Sequence, residues 1–417
     1  MRHRLLTECL CCGSSDLRRV IDLGVQPPAN SYASKPHDDI PRYPLGLNRC
    51  GSCWHAQLTF CVDRRVIFDH YAYVSGTSGT LDRFFSWFSE KLSECYPAAA
   101  RILELAANDG SLVKHLMARH FDVVGVDPAR NIVDLARARG LPITCGYWPD
   151  VQNEIDGKFD VIICMNVVAH VDDPRSFVSA CPGRLKPGGV LIIQPSQARM
   201  FENGEFDTIY HEHISFFNMR SMAKLAESAG LCLYGAALVA VHGDSPVYFL
   251  GLPDSPPPIE NLVAAFSAGE FGIPENLSQY EEEIGLYEGQ TYINFELKAK
   301  DVLHDLVKTV ETFRAQGHKI AFVGAAAKAF TVVNACNIRP DHFLDEAPMK
   351  IGKYAPGIGC LIERLDTVRS FTEPTLFVIT AWNFRKELKR KLLDFGVPAG
   401  SVFYSYFPQP ELTQAEN

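Results

Sequence analysis

A short segment in the middle of the chain, residues 207–217, combines groups that can move a proton with apolar residues. It reads Asp-Thr-Ile-Tyr-His-Glu-His-Ile-Ser-Phe-Phe. Acids, phenols and imidazoles are the usual general acids and bases, and the apolar neighbours fit a pocket that excludes water. In an extended segment His211 and His213 would point one way and Tyr210 and Glu212 the other. The pattern predicts an acid–base site; a polar loop with one structural histidine and a metal site are the alternatives.

Two cysteine pairs near the start of the chain have the spacing of metal ligands. Cys9 and Cys12 form one Cys-x-x-Cys pair, and Cys50 and Cys53 form the other. Four thiolates arranged in this way bind Zn²⁺ tetrahedrally and leave no open position, so the predicted zinc is structural. Cys11 is a rival of Cys12, and redox-active or unpaired cysteines are the alternative interpretation.

A strand, a tight loop, a helix and a second strand follow one another in the central part of the chain. We expect strands at 101–105 and 123–127, with a helix at 111–119 between them. This unit binds a nucleoside across the strand ends, with the terminal acid on the ribose hydroxyls. Alanines stand where a pyrophosphate cradle needs glycines, which favours a nucleoside without phosphate, such as S-adenosylmethionine. The predicted cofactor residues in this unit are Glu104, Ala106, Asn108, Asp109, Gly110 and Asp127.

The alternation of strands and helices continues to about residue 252. A Lys-Pro-Gly-Gly turn at 186–189 is typical of class I methyltransferases. Asn166, a further predicted cofactor residue, and His170 lie at the end of the predicted strand 159–168, at the carboxyl edge of the sheet where ligands bind. The segment 207–217 follows the next strand, at the same edge. A capping role is the alternative for His170.

A proline-rich segment at 254–258 is followed by a second predicted α/β unit. A long helix is expected at 276–314 and a strand at 319–323. The small-residue loop 324–328 opens a helix, where backbone N–H groups and Lys328 can meet phosphate oxygens. A scaffold domain without a ligand is the alternative.

Composition limits the class of protein. The chain has 417 residues, of which 47% are hydrophobic and 21% charged, and its net charge is −9 without a basic tract. These values indicate a soluble globular protein and argue against nucleic-acid binding. No apolar run is long enough for a transmembrane helix, and the start lacks a signal-peptide core. The 13 dispersed cysteines indicate reduced thiols, so we expect a cytoplasmic protein that binds no membrane.

Together these motifs resemble the sugar C-methyltransferases of deoxysugar biosynthesis, the family of the tetronitrose, mycarose and noviose C-methyltransferases. The resemblance rests on the cysteine pairs with residues 23–31, and on residues 104–110, 207–217, 324–328, 350–357 and 381–384. It implies an α/β protein with a zinc-binding module at 1–62 and a Rossmann-like class I methyltransferase domain at 63–255. A second Rossmann-like α/β domain at 256–417 would help to hold the nucleotide.

The resemblance also implies residue roles toward a nucleotide-linked 4-keto-6-deoxysugar. His213 would be the base, with Tyr210, Glu212 and His170 around the reacting carbons. The segment with Tyr71 and Tyr73 would close the pocket, and Tyr73 is included among the catalytic residues. The expected substrate-binding residues are Tyr71, Lys328, Lys350 and Asn383.

The expected activity is methylation at C3 of this sugar through an enolate. His213 would remove the C3 proton, Glu212 would orient it, and Tyr210 or His170 would donate to the enolate oxygen. O- or N-methylation of a sugar or small metabolite is the alternative, and a zinc-bearing binding protein with an inactive methyltransferase fold is a third interpretation. The expected cofactors are S-adenosylmethionine and structural Zn²⁺, and the expected state is a monomer or homodimer.

Overall fold

The computed structural model describes residues 3–36, 40–68, 79–196 and 198–415. Within them the backbone forms sheets of eight, six and four strands and a two-stranded ribbon. The mixture of parallel strands and covering helices confirms the predicted α/β class. None of the helices in the described part of the chain combines the length and the apolar character needed to cross a membrane.

The N-terminal part is built from antiparallel strands that bring the two cysteine pairs together. Its elements are β1 (His3–Leu5), β2 (Leu17–Gln26), β3 (Tyr43–Cys50), β4 (Ala56–Leu58), β5 (Phe60–Val62) and the helix α1 (Arg64–Phe68). β2, β3 and β4 are consecutive neighbours in one sheet, and β1 pairs with β5. One cysteine pair precedes β2 and the other starts at the end of β3, and Leu17 of β2 faces Cys50 of β3. The hairpin therefore fixes the distance between the pairs.

The central part is an eight-stranded sheet with helices on its faces. Its elements are α2 (Gly79–Cys95), β6 (Arg101–Leu105), α3 (Ser111–Ala118), β7 (Asp122–Asp127), α4 (Arg130–Ala138), β8 (Ile143–Cys145), β9 (Phe159–Met165), α5 (Pro174–Ser179), β10 (Leu185–Gln194), α6 (Met200–Asn203), β11 (Ser215–Phe216), α7 (Met219–Ser228), β12 (Cys232–Val239), β13 (Ser245–Gly251), α8 (Ile259–Phe266) and β14 (Gly272–Ile273). The strand order is β14-β12-β13-β10-β9-β6-β7-β8.

The strands from β10 to β8 in this order are parallel, and β13 is antiparallel to both of its neighbours. The central strands β9 and β10 are almost continuously apolar because both of their faces are covered. α2 packs its buried face against α8, with Phe84, Trp87 and Phe88 stacked around Phe266 and Phe271. The central sheet thus includes residues beyond 255, because β14, which follows α8 in the chain, is its edge strand.

β11 belongs to a different sheet from its neighbours in sequence. It pairs with β4 and so extends the N-terminal sheet. β11 lies near the end of the segment 207–217, called the acid–base segment below. The N-terminal part therefore holds that end of the segment in place.

The C-terminal part is a second parallel sheet behind a long helix. Its elements are α9 (Leu277–Glu283), α10 (Gly289–Ala315), β15 (Lys319–Val323), α11 (Ala327–Cys336), β16 (His342–Asp345), β17 (Ile362–Arg364), β18 (Thr375–Ile379), α12 (Arg385–Phe395), β19 (Val402–Ser405) and β20 (Glu411–Gln414). The order is β17-β16-β15-β18-β19-β20, with only β20 antiparallel among these strands. The helix expected at 276–314 divides where Gly285 adopts a left-handed φ of 65°.

Short 3-10 turns complete the described structure. They are Gln152–Glu154, Val168–His170, Pro182–Arg184, Phe206–Thr208, Leu365–Ser370 and Trp382–Phe384. The turn at 168–170 follows β9, and the turn at 206–208 follows α6. Both lead the chain toward the edge of the sheet where ligands bind.

Candidate active site

A cleft of about 1580 Å³ lies at the carboxyl edge of the central sheet. Residues from all three parts of the chain line it. The N-terminal part contributes Asn30 and Tyr32, and the C-terminal part contributes Ala347 and Met349 among others. The predicted site residues that line the cleft are Glu104, Ala106, Asn108, Asp127, Asn166, His170, Tyr210, His213, Lys328 and Lys350.

The loop after β6 forms the cofactor end of the cleft. Ala106 and Asn108 have left-handed φ values of 57° and 49°, a backbone conformation that residues other than glycine and asparagine rarely adopt. Asp127, at the end of β7, accepts the N–H groups of Asn108 at 2.9 Å and Ala129 at 2.8 Å. Each carboxylate oxygen has a second lone pair, so Asp127 can also accept hydroxyl groups of a ligand.

Two buried oxygens in this end of the cleft have no protein partner in the described structure. They are Oε2 of Glu104 and Oδ1 of Asn166. Burial, with Asp127 and Asp109 nearby, raises the pKa of Glu104 well above its usual value. A ligand with hydroxyl and amino donors would satisfy both oxygens, and the adenosine and amino-acid parts of S-adenosylmethionine have such donors.

Two predicted cofactor residues lie behind the cleft wall. The carboxylate of Asp109 is buried, accepts the hydroxyl of Ser111 at 2.7 Å and lies 3.3 Å from a guanidinium nitrogen of Arg139. Gly110 precedes α3 with a left-handed φ of 76° and packs beside Leu141. Both residues shape the loop instead of lining the cleft.

The acid–base segment is a turn and not an extended strand. The N–H of His213 donates to the carbonyl oxygen of Tyr210 at 2.9 Å, which closes the turn. The expectation that His211 and His213 share a direction is therefore wrong. Tyr210 and His213 face the cleft together, whereas His211 packs edge-on to Tyr43 with ring centroids 6.0 Å apart.

His213 is held in the tautomer that a base requires. Its Nδ1 lies 2.9 Å from the carbonyl oxygen of Thr208, and a carbonyl can only accept, so Nδ1 carries the hydrogen. Nε2 is then a bare acceptor, 2.8 Å from the hydroxyl of Tyr210, which donates to it. Burial, with His170 as the next cause, lowers the pKa of His213 well below its usual value. The imidazole is therefore neutral near pH 7.

His170 has the same kind of tautomer. Its Nδ1 donates to the carbonyl oxygen of Glu212 at 2.6 Å, and its ring centroid lies 5.1 Å from that of His213. Burial lowers the pKa of His170 as well. A neutral imidazole has one N–H, and the backbone takes it. The expected role of His170 as a donor to an enolate oxygen does not fit this arrangement.

Glu212 supports the turn from outside the cleft. Its side chain is buried, and Oε1 accepts a hydrogen bond from Nδ2 of Asn30 at 3.1 Å. Burial raises the pKa of Glu212. Asn30 itself lines the cleft, so Glu212 is separated from the cleft by this asparagine.

Two lysines of the C-terminal part face the cleft. Lys328 lies 3.3 Å from a carboxylate oxygen of Glu205 and 4.8 Å from the ring centroid of Trp382. The indole N–H of Trp382 donates to buried Asp207 at 2.7 Å, and burial raises the pKa of Asp207 to about 6. These contacts connect the loop before the acid–base turn to the C-terminal part.

Lys350 is the second of these lysines, and it lies 3.2 Å from a carboxylate oxygen of Asp345. Asn383 follows Trp382, but its side chain is exposed and lies outside the cleft. Tyr71 and Tyr73, which the sequence predicts to close the pocket, lie outside the described residues.

The four predicted zinc ligands converge. The sulfur atoms of Cys9, Cys12, Cys50 and Cys53 all lie within 4.8 Å of one another. The Cys9–Cys53 and Cys12–Cys50 pairs are 3.5 Å and 3.6 Å apart. A tetrahedron with Zn–S bonds of about 2.3 Å has edges of about 3.8 Å, so the cluster fits Zn²⁺. Cys11, the rival ligand, is buried outside this group.

His242 is a residue of the cleft that the sequence did not single out. It lies in the loop between β12 and β13, with a left-handed φ of 52°. A histidine before a Gly-Asp turn is too common in sequences to mark a site. Asn30 also lines the cleft, and its place in the segment 23–31 was the only signal for it.

Three stretches of the chain match known families, in the same order as the parts of the fold. Residues 9–68 match a family named for zinc binding, and residues 79–234 match a methyltransferase domain. Residues 274–408 match the C-methyltransferase C-terminal domain.

Nearly the whole chain is similar to C-methyltransferase NovU from Streptomyces niveus, with 27% identity over 99% of this chain and 98% of that protein. A ubiquinone biosynthesis O-methyltransferase from Chromobacterium violaceum is 28% identical over 33% of this chain and 66% of that protein. A solved S-adenosylmethionine-dependent methyltransferase from Clostridium acetobutylicum is 17% identical, covering 41% of this chain and 91% of that one, with a TM-score of 0.32.

Proposed function

We propose that this protein, which is an S-adenosylmethionine-dependent C-methyltransferase with a structural zinc module, methylates C3 of a nucleotide-linked 4-keto-6-deoxysugar. The observation that carries the proposal is the unprotonated Nε2 of His213, which accepts the Tyr210 hydroxyl at the wall of the cleft because the Thr208 carbonyl holds the hydrogen on Nδ1. A neutral, oriented base is what removal of a proton from carbon requires. The similarity to NovU, a C-methyltransferase, supports a carbon atom as the methyl acceptor.

The proposed reaction begins with the ketone at C4, which makes the neighbouring C3 hydrogen removable. Nε2 of His213 takes the proton, and the electron pair of the C3–H bond moves into a C3–C4 double bond while the carbonyl pair moves to oxygen. When bound, S-adenosylmethionine supplies an electrophilic methyl group on a positive sulfur. The enolate carbon, held against Tyr210 and His213, would accept this methyl group as the carbonyl re-forms, and the electron pair of the broken carbon–sulfur bond would remain on the sulfur of the cofactor.

In this proposal the two ligands occupy separate regions of the cleft. Glu104, Asn108 and Asp127 line the cofactor end, below the loop after β6. Lys328 and Lys350 lie in the C-terminal wall and carry the positive charge that a nucleotide diphosphate needs. In this proposal the sugar lies between the two regions, against Tyr210 and His213.

A second candidate function is methyl transfer to oxygen or nitrogen. The similarity of 33% of the chain to an O-methyltransferase favours it, and the Tyr210–His213 pair suits removal of a hydroxyl proton equally well. The two functions differ in one respect: only the carbon route loosens the C3 hydrogen.

The test is hydrogen exchange at C3. Purified protein is incubated in deuterated water with thymidine or guanosine diphosphate 4-keto-6-deoxysugars and S-adenosylhomocysteine, so that no methyl donor is present. Mass spectrometry should show uptake of one deuterium, and addition of S-adenosylmethionine should add one methyl group. Methyl transfer without exchange would support the oxygen or nitrogen route.

Variants of the two histidines in the turn assign the base. His213→Ala should lower exchange by about 10²–10⁴-fold, the usual cost of losing a general base. His211→Ala is the matched control, since His211 belongs to the same turn and faces away from the cleft. Exchange at the wild-type rate in folded His213→Ala would make the base assignment wrong.

A further inference from the structure

The His242 loop lies close to the reaction region that the proposed function requires. His242 lines the same cleft as Tyr210, His213 and Lys328. A Cβ added at its neighbour Gly243 would lie 3.8 Å from the carboxylate oxygen of Glu205 that pairs with Lys328 at 3.3 Å. A charge on His242 would lower the pKa of His213. The His242 imidazole therefore shares the cleft with His213 and Lys328.

The backbone of this loop is held in an unfavourable conformation. His242, Gly243 and Asp244 are consecutive left-handed residues, with φ values of 52°, 76° and 55°. Residues other than glycine seldom adopt this backbone region. Such strain persists where surrounding contacts enforce it, often at functional sites.

Contacts on both sides of the loop enforce this conformation. Nε of Arg199 lies 2.6 Å from the Asp244 carboxylate, and the carbonyl of Asp244 accepts the N–H of Ala198 at 2.9 Å. The hydroxyl of Ser245 donates to the carbonyl of Val241 at 2.8 Å. These contacts hold the backbone of the loop, and the exposed His242 side chain projects from it into the opening of the cleft.

The other histidines of the cleft have no N–H left for an oxyanion. Among the described residues, His170 and His213 give their single N–H to backbone carbonyls. The hydroxyl of Tyr210 donates to Nε2 of His213 and is released when that nitrogen takes the C3 proton, so Tyr210 can act beside His242. No hydrogen bond within the described ranges involves the ring of His242. Partial removal from bulk water, with Lys328 nearby, lowers the pKa of His242, so the ring is neutral near pH 7 and has one N–H to donate.

We propose that His242 donates a hydrogen bond to the oxygen at C4 of the substrate and stabilises the enolate as His213 removes the C3 proton. The proposal rests on the function proposed above. Preorganised donors aimed at the atom where negative charge develops are often the largest single contribution to such reactions. A neutral donor also preserves the basicity of His213, whereas a histidinium in the same position would lower the pKa of His213 and weaken it as a base.

Replacement of His242 by glycine tests this without harming the fold, because glycine adopts the left-handed region freely. C3 exchange in His242→Gly should fall by about 10²–10³-fold, the usual effect of losing one oxyanion donor. Binding of S-adenosylhomocysteine should be unchanged, and added imidazole should restore part of the exchange. His120→Gly is the matched control, since His120 is exposed, outside the cleft and left-handed with a φ of 65°.

Two outcomes would overturn the proposal. One is exchange at the wild-type rate in His242→Gly. The other is a higher KM for the sugar nucleotide with unchanged kcat, which would make His242 a binding residue only. Absence of exchange in the wild-type protein would instead overturn the proposed function, so the two failures are distinguishable.

Discussion

Individual side chains in the cleft derive their chemistry from the backbone groups that they contact. The carbonyls of Thr208 and Glu212 decide which nitrogen of His213 and His170 carries the hydrogen. Burial then keeps both rings neutral, because a charged imidazole is poorly solvated there. Each of the two imidazoles therefore gives its single N–H to a backbone carbonyl and has no second N–H to donate to a ligand.

The first prediction at this scale concerns pH. Protonation of Nε2 would inactivate His213, and burial lowers its pKa well below 6.5. The base therefore stays active as pH falls through the range where an ordinary histidine becomes protonated, about 6–7. The acid limb of the kcat profile for C3 exchange should lie below pH 6.5. Binding of the sugar nucleotide over the same range is the control, and an acid limb at or above 6.5 would contradict the prediction.

The second concerns Asp127. Its carboxylate lines the cleft where we expect the ribose hydroxyls, and Asp127→Ala should weaken S-adenosylmethionine binding by about 1–3 kcal/mol, the range for a lost charge-assisted hydrogen bond. Calorimetry measures this. Asp134→Ala, an exposed acid on the neighbouring helix α4, should bind normally. Unchanged affinity in Asp127→Ala would mean that another acid holds the ribose.

At the scale of elements, the zinc module packs against the acid–base turn and shares a sheet with the strand that follows it. β11 follows the turn and pairs with β4, so the N-terminal sheet holds the turn from one side. Tyr43 at the start of β3 packs against His211, and Asn30 reaches Glu212. A zinc site distant from the chemistry can therefore affect the geometry of the base.

The prediction at this scale is that zinc loss first harms folding and only then activity. Purified protein should contain one Zn²⁺ per chain, and Cys9→Ser should remove it and lower the melting temperature, because a closed structural site contributes stability directly. Native mass spectrometry and thermal unfolding measure the two effects. Cys11→Ala is the control and should keep its zinc. Well-folded wild-type protein without metal would contradict the prediction.

At the scale of the whole molecule, the cleft exists only because three parts of the chain meet. The central sheet supplies the cofactor end, the N-terminal part supplies Asn30 and Tyr32, and the C-terminal part supplies Lys328. The hydroxyl of Tyr32 donates to the carbonyl of Ala325 at 3.0 Å, and Trp382 donates to Asp207 at 2.7 Å. These bonds connect the C-terminal part to both of the others.

The prediction at this scale concerns the nucleotide. Lys328→Gln removes a positive charge from the C-terminal wall and should weaken binding of a nucleoside diphosphate by about 1.5–3 kcal/mol, the range for hydrogen bonds to charged groups. Calorimetry with thymidine diphosphate measures this, with S-adenosylhomocysteine binding as the internal reference. Lys308→Gln, exposed on α10, should behave as wild type. Equal affinity in both variants would exclude Lys328 as a phosphate contact.

The sequence by itself predicted the fold class, the zinc cysteines and the strand–loop–helix unit expected to bind the cofactor. Alternating strands and helices, the acid at the end of β7 and the paired cysteines are local signals, because each depends on residues close together in the chain. Periodicity and short spacings survive in a sequence, so the zinc cluster and the cofactor strand could be predicted from it. The segment 207–217 was likewise recognisable by its residue types.

Only the tertiary structure decided which side chains share the cleft. The carbonyl of Tyr210 accepts the N–H of His213, which makes the segment a turn and sends His211 away from the cleft. No local pattern fixes this, because β4 pairs with β11 across more than 150 residues. The tautomers of His170 and His213, the approach of Asn30 to Glu212 and the position of His242 likewise depend on groups distant in sequence, which come together only when the parts of the chain pack.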